Sequence, residues 1–351
     1  MLGWTGTPGG EQMIRIALAG FAQGYYAVTY TRYLARLKEV EIVGVCDCGE
    51  DDDYVRECAF TTAGEFAKEM SAPLVHSFIE LLELKPDAVL ICCETAQHVV
   101  LARAALEKGV HVFVSKPLCF SSCDTEMLKG AARGKILLCG NPLKFEKGME
   151  ELHARLHNGE IGKIYSLRVM INHLAMTKQA WERDTARSGG PLGTYGVYLF
   201  DLAQWLTGQK LTQVYALADN YGTPEISGPD TVKVLGCGEK KTQFTLELYS
   251  AIHHDYPFVQ VEAVGTKGTL ITRYDNYATV AQTQRGTVLG ALRSSDMGGG
   301  EMEHFLACVR GEVTERCGLI EMDYVARCVE AAWRSIDSGR PGTLDVKGEC
   351  R

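Results

Sequence analysis

The chain divides into two unlike halves: an α/β domain with a doubly wound parallel sheet over residues 13–141, then an α+β domain on a large, mostly antiparallel open sheet over residues 142–345. Three observations predict this. Short apolar runs alternate with helix-patterned stretches up to Gly140, as in a parallel sheet covered by helices on both faces. Beyond Lys163 apolar residues alternate one by one and most intervening helices disappear, as in an antiparallel sheet with one face covered. At 351 residues and 46% hydrophobic content, the chain is also longer than single cores usually grow.

The first strand is "MIRIALAG" (Met13 to Gly20), followed by a helical stretch to about Lys38. "VEIVGVCD" is the second strand and ends on Asp47. "FIELLELKPDAVLICCE" supplies a helix, a turn at Lys85-Pro86-Asp87 and a third buried strand. A helix from His98 to a C-terminal glycine leads into "VHVFVS", the fourth strand; helix "CDTEMLKGAARG" and strand "KILLCG" complete the series. After helix "KGMEELHARLHNGEIG" come seven strand-like runs: "KIYSLRVMINHL", "LTQVYALAD", "DTVKVLGCG", "KTQFTLELYSA", "FVQVEAVGT", "GTLITRY" and "YATVAQTQ". Helices "PLGTYGVYLFDLAQWLTG" and "LIEMDYVARCVEAAWRSIDSG" are candidates to cover one face. Residues 1–12 are expected to be a disordered leader, lacking both the basic and the apolar segment of a signal peptide.

Charge argues against two partner classes. With 36 basic and 44 acidic residues and no basic block, neither nucleic acid nor an anionic membrane is expected. No apolar run approaches the roughly 20 residues that span a bilayer. The thirteen cysteines do not form the paired C-x-x-C sets of a zinc site, and many lie inside apolar runs, so they are expected to be reduced core thiols. Reduced thiols point to the cytoplasm. No metal is implied.

Ligands bind doubly wound sheets beyond the carboxyl ends of the strands, where Gly20, Asp47, Cys93, Glu94 and Lys116 all fall. The turn after the first strand, "GFAQGY", is a damaged G-x-G-x-x-G: Gly20 is kept, Phe21, Ala22 and Gln23 follow, and Tyr25 stands at the third glycine. An acid at the end of the second strand suits an adenosine ribose, so Asp47 supports a dinucleotide-binding Rossmann domain. The following "CGEDDD" carries four more acids and no cation, which favours NAD(H) over NADP(H). A solvated acidic loop is the other reading of that run.

These motifs resemble the Gfo/Idh/MocA oxidoreductases. "CCETAQH" (Cys92 to His98) resembles the family's third-strand exit, Ser115-Lys116-Pro117 its E-K-P, and "GNPLKF" its glycine-to-phenylalanine segment with Lys144 for arginine. "GEIGKIYSLRV", "SGGPLGTYGVYLFDLAQWLTG" and "VEAVGTKGTL" come after them in the family's order. The resemblance implies an NAD(H)-dependent enzyme moving a hydride between nicotinamide and a carbinol or keto carbon of a sugar, glycoside or cyclic polyol. It implies His98, Lys116 and Pro117 near the cofactor, and Lys144 among the substrate contacts. It also implies a homodimer or homotetramer formed through the open sheet. Where the family commonly has an Asp and a His four residues apart, this chain has Thr194 and Tyr198. The reading is that Tyr198 exchanges the substrate proton, Lys116 lowers its pKa and orients the hydroxyl, and Thr194 adds a hydrogen bond. Thr194 as a helix cap and Tyr198 as a core aromatic is the other reading. Trp181 and Arg183 in "WERDTARSGG" hold sugar hydroxyls or anchor the loop, and His173 is a further hydroxyl partner. An NAD-recycling glycosidase and a non-catalytic nucleotide sensor remain open.

Overall fold

The computed structural model describes residues 13–174, 179–252, 258–273, 278–283, 286–291 and 299–344. The expected leader and residue 345 lie outside the described residues.

The first sheet holds six parallel strands: β1 Ile14–Ala19, β2 Val40–Cys46, β3 Leu74–Val75, β4 Ala88–Ile91, β5 His111–Val114 and β6 Leu137–Cys139. Their order is β3-β2-β1-β4-β5-β6, so the order reverses between β1 and β4 and leaves a crevice at their carboxyl ends. Sequence periodicity found five of the six. It missed β3, which is two residues long and too short to show a period. The central strands are buried on both faces, which is why they are nearly continuous Val, Ile, Leu and Ala. Side-chain caps set the starts of several covering helices: Asp51 accepts from Tyr54 N–H, Thr62 from Glu65 N–H and Ser121 from Asp124 N–H.

The second sheet has nine strands: β7 Ile164–Leu174, β8 Leu211–Asp219, β9 Thr231–Gly238, β10 Gln243–Ile252, β11 Val259–Gly265, β12 Gly268–Arg273, β13 Ala278–Thr283, β14 Gly286–Ala291 and β15 Gly342–Thr343. The order is β14-β13-β12-β11-β7-β10-β9-β8-β15, antiparallel except where β10 runs parallel to β7. The seven strands read from sequence are all present; β14 and β15 are additional. Helical segments 190–207 and 319–338 pack on one face, burying Val214, Val232 and Leu246. On the other face Tyr165, Leu217 and Leu235 are exposed.

Two late helices tie the halves together across the boundary expected at Asn141. Glu301, on the helix Gly299–Val309, accepts from Tyr30 Oη at 2.5 Å and from Asn141 N–H at 2.6 Å. Glu330, on the helix Leu319–Ser338, accepts from Ser122 N–H at 2.7 Å. The segment at the end of the sequence therefore helps to fix the geometry at the end of β6.

Candidate active site

Three pieces of chain meet at the carboxyl ends of β1, β4 and β5. The turn after β1 is forced to be tight: Gly20 has φ +78°, and a Cβ there would lie 2.3 Å from Cys93 Sγ. The residues after β5 supply Lys116 and Pro117. The helical segment Gly190–Thr207 closes the crevice from the second half. Each of the two flanking helices contains one π-helical turn, Tyr26–Tyr30 and Val197–Asp201. Such turns insert a residue and rotate the side chains beyond them about the helix axis, and they recur at functional sites. Here they bring Tyr26 Oη and Tyr198 Oη to 3.4 Å.

Between these pieces lies a cavity of about 400 Å³, lined by Ala22, Gln23, Tyr26, Thr95, Lys116, Pro117, His173, Trp181, Glu182 and Thr194 among others. Among the described residues Lys116 is its one lining lysine or arginine. Its ammonium sits 4.4 Å from the ring centroid of Tyr195 and 5.6 Å from that of Tyr198, a cation over two π faces. Burial pushes Lys116 down to about 8 against the pull of the Glu182 carboxylate, so the amine and ammonium forms are both accessible near neutrality. Thr95 Oγ1 and Trp181 Nε1 are buried and have no hydrogen-bond partner among the described residues. Buried polar atoms are nearly always paired, so two orphans on lining residues mark where a polar ligand would bond.

The structure brings together Lys116, Pro117, Thr194, Trp181, His173, Ala22 and Gln23 from the residues expected to form the site. Thr194 does not cap the helix; it faces the cavity and donates from Oγ1 to the Ser188 carbonyl at 3.3 Å. The His173 ring lies 5.0 Å from that of Tyr195.

Four expectations need correction. Lys144 is not a substrate contact: only 1% exposed, it pairs with Asp201 at 3.0 Å and donates to the Arg316 carbonyl, outside the cavity, because a buried ammonium needs a carboxylate. His98 is not a cofactor contact: it lies fully buried beneath the site, Nδ1 2.7 Å from the Pro117 carbonyl and Nε2 3.0 Å from that of Cys93, and burial holds it down to about 4. It positions the Lys116-Pro117 turn. Arg183 does not line the cavity; its carbonyl accepts from Ser227 N–H. Tyr198 is not held as a phenolate, since burial pushes its phenol well up and Lys116 meets the ring face rather than the oxygen. Tyr195, one helical step away, makes the closer contact and was missed.

The turn and its surroundings fit a dinucleotide in part. Asp47 directly follows β2, and its carboxylate is engaged by His76 Nδ1 at 2.5 Å and Gly49 N–H at 2.9 Å. Phe21 is buried against Phe66, and its N–H donates to Glu50 Oε2 at 2.7 Å. Cys93 lies buried under Gly20. Glu94 pairs with Arg187 at 2.5 Å and accepts from Tyr54 Oη at 3.2 Å. All cysteines among the described residues are free thiols, and no described helix is long and apolar enough to cross a membrane.

Comparison with known proteins bears on this geometry. A family described as "Oxidoreductase family, NAD-binding Rossmann fold" matches residues 14–140, and the "GFO/IDH/MocA C-terminal domain" matches residues 149–271. The uncharacterized oxidoreductase YrbE of Bacillus subtilis is 28% identical over 188 residues, covering 52% of this chain and 54% of that protein. Myo-inositol dehydrogenase Hyg17 of Streptomyces leeuwenhoekii is 28% identical over 208 residues, covering 57% of this chain and 62% of the relative. The matched region thus spans little more than half the length of these relatives. Among solved structures, GenD2 from gentamicin A biosynthesis in complex with NAD superimposes with a TM-score of 0.81 at 20% identity, covering 98% of this chain and all of that one. At that identity the likeness speaks for the fold.

Proposed function

Because the chain belongs to the Gfo/Idh/MocA family of oxidoreductases, we propose that it moves a hydride between the nicotinamide of NAD(H) and a carbinol or keto carbon of a sugar, glycoside or cyclic polyol. The observation that carries this reading is Lys116, a buried amine that burial pushes down to about 8, on the wall of a cavity of about 400 Å³ with orphaned hydrogen-bonding groups around it. When bound, NAD supplies the hydride acceptor or donor. The turn from Gly20 to Gln23 would hold its phosphates, Asp47 its ribose, and the Lys116-Pro117 turn would border the nicotinamide.

In the oxidative direction, neutral Lys116 takes the proton from the substrate hydroxyl as the hydride leaves the carbinol carbon. In the reductive direction its ammonium donates that proton to the carbonyl oxygen. Tyr195 and Tyr198 stabilise the ammonium through their ring faces. Glu182 opposes the desolvation that favours the neutral amine. Trp181 Nε1 and Thr95 Oγ1 donate to substrate or cofactor oxygens, and His173 and Thr194 complete the polar wall. One amine facing the Glu182 carboxylate, with Glu57 a second carboxylate on the lining, suits a neutral polyol better than a carboxylate-bearing substrate.

The test is incubation with NAD⁺ and a panel of inositols, aldoses and glycosides, following NADH absorbance, with a parallel assay for glycoside cleavage without added NAD. Turnover of a polyol or sugar with stoichiometric NADH is expected. Glycoside cleavage without net NADH would assign the cofactor-recycling reaction instead. NAD(H) binding without turnover of any member would assign the sensor.

A further inference from the structure

Glu50 stands where the turn after β1 would meet a phosphate. Its Oε2 accepts the Phe21 N–H at 2.7 Å, and the neighbouring Ala22 N–H adds to the pull on the same carboxylate. Its other oxygen, Oε1, is buried with no partner among the described residues. The chain beyond it folds down onto the turn. The helix Asp52–Ala59 approaches so closely that a Cβ on Gly24 would lie 2.1 Å from the Cys58 carbonyl oxygen. Tyr54 Oη bonds Glu94, which pairs with Arg187 from the other half of the molecule.

This is a costly place for a carboxylate. Burial pushes Glu50 up to about 7, and Glu94 and Asp47 push the same way, while the two N–H groups of the turn pull it down. A dinucleotide pyrophosphate seeks those same N–H groups and brings more negative charge. The two anions cannot share the turn.

We propose that Glu50 is an internal competitor of the dinucleotide: its carboxylate holds the Phe21 N–H and occupies the β1 turn in the free chain, and the cofactor's phosphates enter only when the Glu50–Phe60 segment swings away. The proposal rests on the dinucleotide reading above. Only the fraction of molecules with the segment displaced binds, so apparent affinity is lowered by that fraction. Removing the carboxylate removes both the competition and the repulsion.

The experiment is calorimetric titration of wild type, Glu50→Ala and Glu50→Gln with NAD⁺ and with ADP-ribose, which presents the phosphates without nicotinamide. Glu50→Ala should bind both roughly tenfold tighter, the scale of losing one charge-assisted competing bond. Glu50→Gln keeps an acceptor without the charge and should fall between. Tyr54→Phe, which releases the segment from Glu94 and leaves Glu50 intact, should tighten binding by a smaller factor and serves if Glu50→Ala does not fold. Hydrogen exchange in residues 51–60 should rise when ADP-ribose binds wild type. Unchanged or weaker binding in folded Glu50 variants, or unchanged exchange in that segment, would overturn the inference while leaving the proposed function standing. Binding of neither ligand by any of the chains would overturn both.

Discussion

Replacing Lys116 by methionine should abolish turnover and, at pH 7, make the protein more stable. Lys116 is 9% exposed, and its pKa falls from 10.5 to about 8 on folding. At about 1.4 kcal/mol per pH unit, burial of the cation costs roughly 3 kcal/mol wherever the group is protonated in both states. Its contacts with the rings of Tyr195 and Tyr198 return roughly 1–2 kcal/mol, and methionine fills the same space with a flexible apolar chain. The variant should therefore gain roughly 1–2 kcal/mol at pH 7. The depressed pKa also sets the sign of the pH dependence. Below about 8 the full cost is present; from there to 10.5 the unfolded chain holds a proton that the folded chain lacks, so wild-type stability rises with pH. Above that window the cost is gone. Urea unfolding of both proteins at pH 7 and pH 10, compared at equal m-values, measures this difference. The advantage of Lys116→Met should shrink at the higher pH, and wild-type kcat/KM for oxidation should rise through about 8. A variant less stable at pH 7, or an advantage unchanged by pH, would show that Lys116 does not carry a lowered pKa.

Tyr198→Phe should keep turnover within about fivefold, because the phenol faces Tyr26; a loss of about a hundredfold in kcat would return proton transfer to the phenol. Lys144→Met should strand the buried Asp201 carboxylate and cost roughly 3–5 kcal/mol by denaturant unfolding, with substrate KM unchanged if the protein is assayed well below its melting temperature. NADP(H) should bind at least about tenfold more weakly than NAD(H) by calorimetry, since the Asp47 to Asp53 run offers a 2′-phosphate no cation but His76; equal affinities would remove the argument. Light scattering should give at least a dimer, and Leu235→Glu on the exposed sheet face should shift it toward monomer; a wild-type monomer at micromolar concentration would refute self-association through that face.

The two-sheet architecture was legible because strand and helix periods are local properties, carried by residues a few positions apart. What sequence could not show depends on partners far along the chain. Lys144 sits in a polar-looking turn, yet its fate is set by Asp201, 57 residues later. No local pattern singles out the helix bearing Glu301, although its carboxylate fixes Tyr30 and Asn141 across separations of 271 and 160 residues. The position of Lys116 was readable from a strand that ends in proline, but its neighbour was not. A π-helical turn adds a residue, so the 3.6 period no longer says which of Tyr195 and Tyr198 faces the amine. The acidic run after β2 gives the same lesson at shorter range. Composition treats Glu50 to Asp53 as one solvated patch, yet Asp51 caps a helix, Asp52 and Asp53 are exposed, and Glu50 turns inward because the N–H groups of the β1 turn require an acceptor. That requirement belongs to the backbone of residues 29 positions earlier. The contact of Glu50 with the β1 turn is thus one that no property of its own neighbourhood encodes.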